Sequence, residues 1–430
     1  MPATTAASGS GPRCGSRSGR RKGIAPWLAV AIAVAWTTWG GNQFTPLLIA
    51  YQQGGYRRID VDILLGAYVL GLVPGLLLAS ALSDRQGRRP VLAVGLACSA
   101  MGSLVLALGD VAGYGPLLAG RLLSGLAVGI AMAVGSTWII ELCAPPNAVV
   151  RPGAGARRAS TWLSMGLGAG PLCSGLLATF APDPLVITYV LHALLGVPVL
   201  WLVCTRTVET RVPAARGSGL PALRVPGVAH RRFTHVVVPM APWIFGSAAI
   251  AYAVLPASVG DGLGRWALLY TAAVTVLTLG CGVVVQPIAR RLDDRSSARA
   301  IVVAMVLITV GVIAAAGAAM MRSAAAAVLV AGLLGAAYGI AIVSGLLEVQ
   351  RIAGPDGVVG LTGVYYSLAY VGFLFPALLA ALARYVSYPV MLACLGVLAA
   401  ASTVRCASGW SKHLAPRTPR CADTASGCQV

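Results

Sequence analysis

The residues of this chain that can do chemistry are few, and they form no reaction centre. No nucleophile, base and orienting acid occur together in a workable spacing. The ten cysteines show no CxxC or Cys/His metal spacing, and no glycine-rich nucleotide loop is present. An enzyme, a resident metal or cofactor and direct use of ATP are therefore disfavoured. What remains is proton and ion chemistry. Arg121 lies inside a long apolar run, where a guanidinium must face a cavity or a partner. Asp62 stands at the start of another run, and His192, whose imidazole can titrate near neutrality, within a third. These three are the coupling candidates. A second concentration of charge is "LSDRQGRRP" at residues 82–90, which holds Asp84, Arg85, Arg88 and Arg89 around Gly87.

The elements that must position these residues follow from composition. The 430 residues are 57% hydrophobic and only 10% charged, with mean hydropathy +0.81. A soluble fold needs far more polar surface than this. The apolar runs are continuous and about as long as the 20 residues that span a bilayer as a helix, so a β-barrel is disfavoured. They lie near residues 26–51, 63–82, 90–109, 115–143, 159–181 and 185–204, then near 235–257, 265–288, 299–321, 324–348, 359–383 and 386–404. The expectation is an all-α membrane protein of twelve transmembrane helices. Its organisation reads as a disordered cytoplasmic tail over 1–24, a six-helix bundle over 25–204, and a cytoplasmic linker over 205–234. A second six-helix bundle over 235–404 and a cytoplasmic tail over 405–430 complete it.

Charge tests that count. With the first residue in the cytoplasm, 26 of the 32 Lys and Arg fall in inside segments, five in outside loops and one, Arg121, within a span. A missed helix would scramble this alternation, which follows the positive-inside rule. The net charge of +19 is thereby read as membrane orientation. A nucleic-acid partner is disfavoured, because no basic folded domain exists.

The two halves resemble one another. "LSDRQGRR" at 82–89 faces "LDDRSSAR" at 292–299, and "GLAVGIAMAVG" at 125–135 faces "GAAYGIAIVSG" at 335–345. Both matches are displaced by 210 residues. A shared offset at two places argues for duplication of a six-helix unit and a pseudo-two-fold relation between the bundles.

On these residues the chain resembles the major facilitator superfamily over all twelve spans. The family's loop between helices 2 and 3, roughly G-x-L-x-D-R-x-G-R-R, appears as Ser80, Leu82, Asp84, Arg85, Gly87, Arg88 and Arg89, with Ser80 in place of the leading Gly. Its helix 4 motif appears as Arg121 and Gly125. Its helix 5 motif, associated with drug:proton antiporters, appears as Gly166, Gly170, Pro171, Ser174 and Gly175. The resemblance implies a secondary transporter of the plasma membrane, working by alternating access as a monomer in the lipid bilayer. It implies proton-coupled efflux of small hydrophobic or amphipathic compounds. An uptake permease or uniporter for a small polar metabolite is the alternative. A non-transporting receptor on the same fold is disfavoured by the intact motifs. It also implies a latch, with Asp84 near the start of helix 11 and the arginines paired with Glu141 at the end of helix 4. The second copy of the turn has lost its Gly and one Arg, so the first half is expected to carry the stronger charge contacts. Glu348 ends helix 10 much as Glu141 ends helix 4. Gly166, Gly170, Pro171 and Gly175 make helix 5 thin and kinkable. Asn42 and Gln43 are too polar to face lipid and are expected to line the cavity or bond a neighbouring helix. Trp39, Tyr338 and Tyr365 are further cavity candidates, with Tyr366, Trp138 and Tyr252. No acid lies in mid-span.

Overall fold

A computed structural model describes residues 24–145, 154–210, 227–259, 262–353 and 358–410. The expected tails, the centre of the linker, Arg151, Cys421 and Cys428 lie outside the described residues. Among the described residues, eleven helices are long and apolar enough to cross a membrane: α2 Arg58–Gln86, α3 Arg88–Ala107, α4 Tyr114–Leu142, α5 Ala154–Phe180, α6 Pro184–Arg206, α7 Phe233–Val259, α8 Ala267–Leu292, α9 Arg299–Met320, α10 Ala324–Ile352, α11 Gly360–Leu382 and α12 Tyr388–Ser408. The twelfth, α1, runs in two pieces, Pro26–Asn42 and Phe44–Gln53.

Proline accounts for that break. Pro46 has no N–H for the carbonyl of Asn42, four residues back, and its ring crowds that carbonyl. The helix therefore opens at Gln43. Under the 210 offset Pro46 becomes Pro256, and α7 widens there into a π-helical turn at Ile250–Val254. The first helix of each half thus carries the same proline and a comparable distortion.

The repeated glycine segments are the contact faces of α4 and α10. A Cβ on Gly125 or Gly129 would collide with the carbonyls of Tyr68 and Leu72 on α2. A Cβ on Gly335 or Gly339 would collide with the carbonyls of Thr278 and Gly282 on α8. Tyr68 and Leu72 are displaced by 210 from Thr278 and Gly282, so the contacts as well as the residues repeat. Without a hydrophobic driving force between helices in lipid, close backbone approach through small residues is what holds such pairs. Within the first half α3 packs on α4 and α6, and α1 on α5; within the second α9 packs on α10 and α12, and α7 on α11. The halves meet along α5 with α8 and α2 with α11.

Candidate functional site

Between the halves lies a cavity of about 380 Å³, in the size range of small-molecule sites. It is walled by the end of α2 (Leu76, Ser80), the end of α4 from its π turn onward (Met132, Ala133, Ser136, Thr137, Ile140), and the start of α5 (Ala156 to Leu163). From the second half come the end of α10 (Leu346, Gln350) and the start of α11 (Thr362, Gly363, Tyr366). It therefore sits at the end of the molecule that carries the charged turns. Aromatic contacts roof it. Tyr68 of α2 meets Tyr370 and Phe373 of α11, each at 6.3 Å between ring centres, and Phe245 of α7 stacks on Tyr370 at 4.2 Å. The Tyr370 hydroxyl reaches the Met132 sulfur at 3.3 Å.

Beyond this roof the halves are closed on each other. At that end lies a void of about 10 Å³, between Gln52, Arg58, Asp62, Tyr252 and Thr271. Arg58 lies over the ring of Tyr388 at the start of α12, 4.4 Å from its centre. Asp62 is buried with Arg58 Nε at 3.8 Å.

The charged turn is built as two arginines and a helix start. Gly87 has φ +98°, a backbone conformation open to glycine, and a Cβ there would strike the Glu209 carboxylate. Glu209, in the chain leaving α6, accepts from the backbone N–H groups of Arg88 and Arg89 at 2.8 and 2.9 Å. An acid at a helix N-terminus satisfies groups that have no partner within the helix. Arg88 donates to Glu141 at 2.8 Å and to the Ser83 hydroxyl at 2.6 Å, and pairs with Asp84 at 3.0 Å. Arg89 donates to the Thr207 carbonyl, and the Glu141 carboxylate accepts from Thr210. Arg85 ends α2 in the same turn. All these contacts stay within the first half and the start of the linker. The expected approach of Asp84 to the start of helix 11 involves residues 354–357, which lie outside the described residues.

The expectation of a weaker second joint is corrected. Arg232, fully buried, pairs with Glu348; Arg351 pairs with Glu348 at 3.2 Å and with Asp293. Glu348 is 2% exposed, against 30% for the side chain of Glu141. The offset exposes the reason. Glu141 corresponds to Arg351 and Ser83 to Asp293, so a base stands where the first half has its helix-end acid, and the acid it grips stands at the match of Ser83, while the match of Arg88 is Ala298. Matching identical letters misses an exchange of sign. Asp294, the match of Asp84, caps its own loop instead: it accepts from the Ser296 N–H at 3.0 Å and from the hydroxyls of Ser296 and Ser297. Those bonds hold its carboxyl down at about 2.

Arg121 is buried among backbone and rings. It donates to the carbonyls of Leu64 at 3.1 Å and Gly41 at 3.0 Å, and lies 4.4 Å over Phe44 and 4.7 Å over Tyr68. It thus supports the roof rather than the cavity wall. His192 is enclosed within the first half. Its Nε2 meets the Trp36 carbonyl at 3.0 Å, so that nitrogen carries the proton, and Nδ1 accepts from Ser103 at 2.8 Å. Ser103 in turn accepts from Gln43 at 3.3 Å. The ring stacks on Trp36 at 4.4 Å. With the neutral imidazole both ring nitrogens and the Ser103 hydroxyl are paired, while the Gln43 Oε1 has no hydrogen-bond partner among the described residues.

Of the cavity candidates from the sequence Tyr366 lines the cavity and the other seven stand elsewhere, Trp138 donating to the Val208 carbonyl at 3.2 Å and Tyr252 lining the small void. Gln43 belongs to the His192 chain, and Trp39 meets the His192 ring edge-on. Asn42 donates to the Leu167 carbonyl at 2.9 Å, the carbonyl that Pro171 leaves without its helical N–H. Tyr338 packs on Phe245 and Gly282, and Tyr365 donates to the Ile342 carbonyl. Gly166 and Gly170 seat α5 against Ala35, Thr38 and Trp39 of α1, whereas Gly175 meets Ala272 of α8 across the halves. Sequence reasoning did not single out Ser136, Gln350, Thr362, Arg58, Arg232 or Glu209. Only the pair of Asp293 and Arg351 carried a signal, the 210 offset applied to Ser83 and Glu141.

The family model of the Major Facilitator Superfamily matches residues 27–377. The chain belongs to the major facilitator superfamily. No curated protein matches it by sequence. Solved superfamily folds overlay most of it. A POT family transporter in complex with 5-aminolevulinic acid gives a TM-score of 0.70 at 12% identity, over 90% of this chain and 96% of that one. The xylose transporter XylE from E. coli, in a partially occluded inward-open conformation, gives 0.63 at 13%, over 88% and 96%. A D-xylose-proton symporter gives 0.61 at 15%, again over 88% and 96%. At such identities the likeness is one of fold. This superfamily member is a multi-pass membrane protein and a secondary transporter.

Proposed function

We propose that this transporter exports small hydrophobic or amphipathic compounds across the plasma membrane in exchange for protons, by alternating access, with both chain ends in the cytoplasm. The observation that carries this reading is the cavity between the halves, reached from the charged end and sealed at the other by the aromatic roof and the contact of Arg58 with Tyr388. With the positive-inside orientation, the charged end is cytoplasmic and the structure is inward-facing. Asp62 is the proposed proton site. An ionised carboxylate favours the hydrated, open arrangement of its gate, and a protonated one favours the buried arrangement seen here. Protonation from outside therefore closes the outer gate, and exchange is complete when the same proton leaves Asp62 toward the cytoplasm while the gate stays shut. Arg121 and His192 act in this account through packing.

A second reading has its own support. Hydroxyls and an amide on the cavity wall, and a fold shared with a D-xylose-proton symporter, suit uptake of a polar metabolite. The test is transport into inverted vesicles under an imposed pH gradient, with a panel of dyes and labelled sugars. Gradient-driven accumulation of amphipathic probes, abolished by Asp62→Asn, is the expected result. Accumulation of a sugar only in right-side-out vesicles establishes the second reading, and indifference to the gradient overturns proton coupling.

A further inference from the structure

The wall of the cavity contains no Asp, Glu, Lys, Arg or His among the described residues. That is unexpected at this end of the molecule, where the charges concentrate. Each charged joint beside it is closed on itself: Arg88 on Glu141 and Asp84, Arg351 on Asp293 and Glu348, and Arg158 over the ring of Trp27 at 4.0 Å. None of these groups reaches the wall.

What does reach it is a set of neutral groups with hydrogen-bonding capacity to spare. Ser80 and Ser136 from the first half, and Gln350, Thr362 and Tyr366 from the second, line the cavity. Their polar atoms have no hydrogen-bond partner among the described residues, although the Tyr366 ring packs against Tyr365. Thr137 differs, since its hydroxyl is spent on the Ala133 carbonyl. Each of the five groups can both donate and accept. Ser160 also stands on the wall, its hydroxyl spent on Gln286 at 3.3 Å, and the rest is Leu, Ile, Met, Ala and Gly.

A permanent ion entering this cavity would lose water and find no counter-charge, which is costly. An uncharged molecule with a few hydroxyl, carbonyl or amide groups on an apolar body would exchange its water for these five partners. Resting on the transport reading above, we infer that the substrate is uncharged: an amphipathic molecule bearing hydroxyl or amide groups, recognised from both halves at once by Ser80, Ser136, Gln350, Thr362 and Tyr366. Binding to both halves matters. A ligand bridging Ser136 and Gln350 stabilises the arrangement in which the halves stand at this separation, and so couples occupancy to conformation.

The test is equilibrium dialysis of the full chain in lipid nanodiscs, with empty nanodiscs subtracted. The probes are chloramphenicol and a benzyl glucoside as uncharged amphiphiles, ethidium and tetraphenylphosphonium as cations, and tetraphenylborate as the anion. Saturable binding confined to an uncharged probe is expected, weakened at least about tenfold by Gln350→Leu with Tyr366→Phe. Gln350→Glu is expected to acquire saturable binding of tetraphenylphosphonium, a readout that lost folding cannot mimic. Saturable binding of ethidium, tetraphenylphosphonium or tetraphenylborate by the unaltered chain overturns the inference, as does failure of both uncharged probes. Counterflow of the bound probe in vesicles separates the two levels. A charged probe that undergoes counterflow overturns neutrality and leaves transport standing, whereas a bound uncharged probe that does not overturns transport.

Discussion

The two halves of this transporter solve one mechanical problem with opposite signs. In the first half Arg88, at the start of α3, grips a helix-end acid, Glu141; in the second a helix-end arginine, Arg351, grips the acid Asp293 where α8 ends. The apolar contact between α4 and α2 and that between α10 and α8, by contrast, keep the same glycines on α4 and α10, while Gly71 and Gly75 on α2 correspond to Cys281 and Val285 on α8. Packing at a helix crossing depends on shape, and a Cβ in the wrong place cannot be compensated at a distance. An ion pair depends on complementarity, so both signs can change together. Duplicated halves therefore keep their small residues in register and drift in their charges. The second joint is also the more buried, with Arg232 enclosed beside Glu348.

The comparison breaks if the two joints respond alike. The largest effect is expected from Glu348→Gln, which leaves Arg232 and Arg351 short of their shared acid. Removing one partner of a buried pair costs about 3–5 kcal/mol. Thermal unfolding in detergent should fall far more for Glu348→Gln than for Glu141→Gln, whose acid is partly exposed. Equal losses would remove the distinction. Next come the glycines. Gly125→Ala and Gly335→Ala each force a methyl onto a carbonyl of the neighbouring helix, at a cost of about 1–3 kcal/mol. The same assay should show matching losses, with Gly115→Ala and Gly317→Ala neutral because open space surrounds both. Unequal losses would mean the crossings are not equivalent.

Smaller effects sharpen the sign exchange. Glu141→Arg alone sets two bases together, and adding Arg88→Glu should recover stability. A double-mutant cycle is expected to return a coupling of about 0.5–3 kcal/mol. A cycle with no coupling contradicts the pairing of Arg88 with Glu141. Smallest is Asn42→Ala, at about 1 kcal/mol, since it strips the Leu167 carbonyl of the donor that replaces its helical N–H. In a Pro171→Ala background the backbone N–H returns and Asn42→Ala should cost nothing. Under the offset Asn42 corresponds to Tyr252 and Pro171 to Ala381, so the second half has no such device.

How much of this was legible in the sequence depends on the physics of each feature. Helix number followed from run length and from the alternation of Arg and Lys between loops, because membrane crossing is set by composition alone. The repeat was legible because Gly125 and Gly129 return as Gly335 and Gly339. The roles of Asn42, Gln43 and His192 were not. A polar residue in a span announces that it avoids lipid, yet a cavity and a neighbouring helix meet that need equally well. Only the positions of Leu167 and Ser103, distant in the chain, decide between them. Arg232 and Glu209 were illegible for the same reason: their partners are set by how the linker's ends fold back on the joints. The cavity wall is drawn from five helices, and no local spacing relates Ser136 to Gln350.

Alternating access is the central claim, and paired cysteine accessibility tests it most directly. In a background without the ten native cysteines, Ser136→Cys marks the cavity and Gln52→Cys the sealed end. Each is labelled with membrane-impermeant maleimides in right-side-out and inverted vesicles. Ser136→Cys is expected to react only from the cytoplasmic face and Gln52→Cys only from the outside. In the double variant, labelling Ser136→Cys should protect Gln52→Cys. Full and independent labelling of both sites in the same molecules would contradict it.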